Sequence, residues 1–90
     1  MAMAQELASP KVAIVEAQIL IDKGEIVNAI ELLKNANQQF PGNDILLILY
    51  GDALYENKQM ALAEQAYMQA LEINPLSPTA AKRIEVIRAI

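Results

Sequence analysis

Ninety residues, 54% hydrophobic and 4% aromatic, make a small folded chain with a thin core, since a domain of this size buries only about 60–65% of its unfolded surface. Seven basic against eleven acidic residues, a net charge of −4 with no basic cluster, argue against the phosphate neutralisation on which nucleic-acid binding rests. The absence of cysteine removes disulfides, and no apolar run reaches the roughly 18 residues that a membrane span needs.

The chain opens on "MAMAQELAS", which lacks the basic start and apolar centre of a secretory signal. Residues 1–9 are expected to be an N-terminal stub or added residues, and the cytoplasm is the default compartment. Ser9, Asn43 and Ser77 then recur at intervals of 34 residues. Each is a good N-cap, able to accept from an orphan amide of a first helical turn. Pro10 and Pro78 follow two of them, where a missing N–H costs nothing. Asp44 takes that place in the middle copy and suits the positive end of the helix dipole.

Each interval breaks near its middle. "DKGE", Asp22–Glu25, carries Gly24, suited to a left-handed helix end; "ENKQ", Glu56–Gln59, offers Asn57 for the same purpose. The pattern predicts helices over 10–22, 25–39, 44–56, 59–73 and 78–90. The same offset relates Ile14 to Ile48, Leu20 to Leu54, Ala29 to Ala63, Ala36 to Ala70 and Pro41 to Pro75, with Ala17 matching Gly51. Small side chains let two helix axes approach closely, and each proline ends a second helix. Units of 10–43 and 44–77 follow, with 78–90 as a closing helix, in a single domain.

These residues resemble the tetratricopeptide repeat, whose pattern runs large-x2-Leu-Gly-x2-Tyr, then Ala-x3-Phe, a further Ala and a closing Pro. The middle copy supplies Leu47, Tyr50, Gly51, Leu54, Ala63, Tyr67, Ala70 and Pro75. The first supplies Ala13, Glu16, Ala17, Leu20, Ala29, Leu33, Ala36 and Pro41. Glu16 departs from the pattern, a charge where the family keeps leucine, and marks either poor burial or an N-terminal edge. The resemblance implies an all-α fold: an α-α superhelix, a right-handed solenoid of antiparallel hairpins, with about two units plus a capping or third-unit helix. The alternative is an unrelated bundle of four or five helices.

Catalytic chemistry is missing. Without His or Cys the chain lacks the usual general base near neutral pH, the thiolate nucleophile and the common zinc ligand sets. Ser9 and Ser77 read as caps, and Gly24, Gly42 and Gly51 stand too far apart to cradle phosphate. Asp22 and Glu25 flank a turn and read as solvated. The expectation is a non-catalytic protein without cofactor or metal.

The resemblance further implies that the first helix of each pair lines a concave face. Helical spacing then selects Lys11, Ile14, Gln18, Ile21 and Asp22 from the first pair. Ile45, Ile48, Leu49, Asp52, Tyr55 and Glu56 come from the second. Thr79, Lys82, Arg83 and Val86 come from the last helix. Among these, Ile14, Gln18, Ile21, Ile45, Ile48, Leu49, Asp52, Tyr55, Lys82 and Arg83 are the expected contacts for a peptide or protein partner. The surface is apolar with an acidic edge, so the partner segment should carry apolar anchors and some Lys or Arg. Some relatives clamp a chaperone's C-terminal carboxylate, but the matching positions here hold Ile14, Gln18, Leu49, Thr79 and Arg83. Only Arg83 suits a carboxylate, which needs several donors to offset its desolvation.

Two other readings stay open. Ile84, Val86, Ile87 and Ile90 lie on a last helix with no obvious polar cap, and terminal repeats normally present a polar outer face; self-assembly through that end is one. An accessory domain of a larger enzyme, such as a bacterial peptidase or transferase, is the other.

Overall fold

The computed structural model describes residues 8–90 and forms five helices: α1 (Pro10–Asp22), α2 (Ile26–Gln39), α3 (Asp44–Glu56), α4 (Met60–Ile73) and α5 (Pro78–Arg88). The expectation for the stub lies outside these residues, except at its last two positions. Among the described residues there is no strand. The three equally spaced caps form as their chemistry dictates. Ser9 accepts from the Val12 amide at 3.2 Å, Asn43 from Leu46 at 3.0 Å and Ser77 from Ala80 at 3.3 Å. The second helices start one residue later than predicted, behind Glu25 and Gln59, neither of which makes a side-chain cap bond. The last helix ends two residues earlier.

Both hairpin turns use one device. After α1 the Glu25 amide donates to the Leu20 carbonyl at 2.9 Å and the Gly24 amide to Ile21 at 3.0 Å. After α3, Gln59 donates to Leu54 at 2.9 Å and Lys58 to Tyr55 at 3.0 Å. This pairing requires a left-handed residue just past the helix. Gly24 fills it at φ +79°. In the second turn Lys58, at φ +66°, fills it, and not Asn57 as predicted; Asn57 stays near the helical region at φ −86° as the last half-helical residue. A lysine pays a steric cost there that glycine does not. Lys58→Gly is expected to raise stability by about 1 kcal/mol, read as a higher denaturant midpoint with unchanged slope.

Two core clusters run along the stack. The first joins Ala13 and Ala17 of α1 to Leu32, Leu33 and Ala36 of α2 and to Leu46, Leu49 and Ala53 of α3. The second joins Leu47, Ile48 and Leu54 of α3 to Ala63, Ala66, Tyr67 and Ala70 of α4 and to Ala80 and Ile84 of α5. Ile30 and Tyr50 touch both. Thus α3 is the central helix, packed on α1, α2 and α4, and α5 closes over α4. The molecule is elongated, 42 × 25 × 19 Å, as expected of stacked hairpins that bury surface mainly against their neighbours.

The close approach expected at the small residues is tightest at Gly51. A Cβ built there would lie 2.5 Å from Cε1 of Tyr67. One repeat earlier the same two positions hold Ala17 and Leu33, both fully buried in the first cluster. The second hairpin has therefore traded a smaller residue on its first helix for a larger one on its second.

The last helix differs from expectation in part. Ile84 is buried and Ile87 packs against the second cluster, whereas Val86 and Ile90 are exposed. Ala81, Lys82, Glu85 and Arg88 stand where Leu47, Ile48, Gly51 and Leu54 of α3 belong to the helix face turned to α4. The open side of α5 is thus mostly polar, and Arg88 reaches back to Glu64 of α4 at 2.7 Å.

Candidate protein-binding groove

The first helices of the successive units, α1, α3 and α5, contribute to one cleft of about 360 Å³. Ile21 comes from the end of α1, and Asp52, Tyr55 and Glu56 from the last turns of α3. Arg83 and Val86 come from α5, and Tyr67 of α4 completes the lining from beneath. Ile21 and Tyr55 occupy the same position of two units, as do Asp52 and Val86. The repeat itself therefore delivers side chains to one surface at regular intervals. The lining is mostly apolar, with Ile21, Tyr55 and Val86 as its walls.

A polar network holds the floor. Tyr67 donates its hydroxyl to Oδ1 of Asp52 at 2.5 Å, and Arg83 Nε donates to the same oxygen at 2.8 Å. This ties α5 to α3 and α4 through one carboxylate. Burial of the Tyr67 ring pushes its phenol well above the usual tyrosine range, with the Asp52 hydrogen bond and charge adding to the effect. Arg83 is raised chiefly by its hydrogen bond to Asp52. Both groups keep their protons through any neutral or mildly alkaline pH. The Glu56 side chain makes no hydrogen bond or ion pair with another described residue and stands exposed at the rim. Two carboxylates against one guanidinium leave the cleft with an acidic bias.

Of the residues predicted to contact a partner, the structure brings Ile21, Asp52, Tyr55 and Arg83 together. Gln18 is exposed on α1 and donates to Asp22 at 3.1 Å, Ile14 is half-buried against the first cluster, and Ile45 and Lys82 are exposed outside the cleft lining. Ile48 and Leu49 are only 8% and 9% exposed and belong to the two core clusters. Their placement corrects the expectation of an open apolar surface there. They lie on the stripes of α3 that neighbouring helices cover, so a charge at Ile48 would attack the fold before any ligand contact. Tyr67 is the residue that sequence reasoning took only as a large packing position. The available signal was its hydroxyl, since a buried tyrosine needs a partner for its O–H.

Among the described residues no group of three or more His, Cys, Asp or Glu is placed to hold a metal ion. Asp22 and Glu25, flanking the first turn, accept from Gln18 and Asn28. Among the same residues no helix is long and apolar enough to cross a membrane.

A tetratricopeptide repeat family model matches residues 20–84. The match covers most of the chain, including both hairpin turns and every groove-lining residue except Val86. The chain belongs to the tetratricopeptide repeat family. Proteins of this family generally mediate protein–protein interaction and are typically non-catalytic. No curated protein matches the chain.

Proposed function

We propose that the chain is a non-catalytic interaction module that holds a protein or peptide segment in the cleft between α1, α3 and α5. The observation that carries this reading is the cleft itself: three apolar walls from three separate helices over a hydrogen-bonded polar floor. Anchors of this kind, an aromatic and aliphatic cluster around a desolvated centre, dominate binding energy at protein interfaces. The acidic bias selects a segment with an aliphatic or aromatic anchor beside a Lys or Arg. A free C-terminal carboxylate fits poorly, because Arg83 already spends its charge on Asp52.

The test uses a peptide selected against the full chain from a random displayed library. Tyr55→Ala and Val86→Glu are each expected to weaken that peptide about tenfold or more, with the helical circular dichroism unchanged. Lys34→Ala, on the exposed side of α2, should leave affinity as it was. Full affinity in both groove variants would sink the assignment.

A further inference from the structure

Val12, Val15 and Ile19 of α1 stand one repeat before Leu46, Leu49 and Ala53 of α3. On α3 those three share the first cluster with Leu32, Leu33 and Ala36 of α2, and Asn37 of α2 donates to the Leu46 carbonyl at 3.4 Å. On α1 the same stripe is 38%, 53% and 47% exposed. Glu16, the departure from the family pattern, borders it, and Lys11, Val12, Val15 and Glu16 line one shallow open surface.

We propose that this stripe joins two copies of the chain, with their α1 helices packed in parallel about a two-fold axis. Val12, Val15 and Ile19 are spaced three and four residues apart, the spacing of a coiled-coil seam. Lys11 and Glu16 flank the seam on opposite sides, five residues apart. In a parallel pair such flanking positions face each other across the seam, so Lys11 of each copy meets Glu16 of the other, twice. An antiparallel pair would set flanking positions of the same kind against each other and lose this match. Glu16 also interacts within its own chain, and the pairing shares that carboxylate. The seam is two turns long, so the dimer is weak and concentration-dependent, and its contact is separate from the groove.

Sedimentation equilibrium of the full chain across a concentration series reaching the millimolar range reads this directly. A monomer–dimer equilibrium is expected. Val15→Glu should abolish it while circular dichroism stays unchanged, and Tyr55→Ala should leave it intact. Lys11→Glu and Glu16→Lys should each weaken association roughly tenfold by setting like charges together, and an equimolar mixture of the two should recover it as a heterodimer. A monomer at every concentration overturns the proposal. So does a dimer indifferent to Val15→Glu, one lost in Tyr55→Ala, or a mixture that fails to recover.

Discussion

Gly51→Ala is expected to destabilise the chain, and adding Tyr67→Leu to it should restore most of the loss. Alanine in mid-helix ordinarily gains about 1 kcal/mol over glycine. Here the new methyl would meet the Tyr67 ring at 2.5–2.9 Å, and that ring is only 1% exposed and bonded to Asp52. A ring held on all sides cannot swing away, and overpacking of this kind costs about 1–3 kcal/mol. The clash therefore outweighs the helix gain. Leucine at 67 recreates the alanine–leucine combination that Ala17 and Leu33 already use in the first hairpin. A denaturant-melt double-mutant cycle measures the coupling. Strict additivity would mean that the two hairpins do not share one packing solution.

Tyr67→Ala should be the most damaging single substitution, at about 3–5 kcal/mol. That is a large part of the total stability of a chain this size, about 5–13 kcal/mol. It empties the centre of the second cluster and leaves Asp52 with Arg83 alone. Tyr67→Phe keeps the ring and removes only the hydroxyl bond, at about 1 kcal/mol. The two variants separate packing from polar anchoring.

The same residue sets an alkaline limit. Its folded-state pKa lies above the unfolded value of 10.0, so its contribution is complete below that pH. As pH rises further, the unfolded chain releases this proton while the folded chain retains it, and stability falls. Urea midpoints measured between neutral and strongly alkaline pH should drop less steeply in Tyr67→Phe than in the native chain.

The fold was legible because its signals are local and repeated. Ser9, Asn43 and Ser77 each act within their own first turn, so spacing alone locates three helix starts. The left-handed residue of the second turn was misplaced by one, onto Asn57. Side-chain preference favours asparagine there, but the helix end, set by the hydrogen-bond ladder, puts the position at Lys58. The groove was legible in part. Helical spacing selected Ile21 and Tyr55, which line the cleft, and equally Ile48 and Leu49, which lie on buried stripes of α3 a fraction of a turn away. Which stripe faces solvent depends on how the hairpins are rotated against each other, and that is decided by packing. The bond between Tyr67 and Asp52 spans 15 residues and the one between Arg83 and Asp52 spans 31. Neither separation is a helical period: the first contact forms only once α3 and α4 fold against each other, and the second only once α5 packs onto that hairpin.

The most direct test of the groove is an amide chemical-shift titration of the isotope-labelled chain with the library-selected peptide. The largest shifts are expected at Ile21, Tyr55, Glu56, Arg83 and Val86, with the outer surfaces of α2 and α4 unaffected. Shifts concentrated on α2 and α4, or no saturable shift at those five residues, would contradict a binding surface shared by α1, α3 and α5.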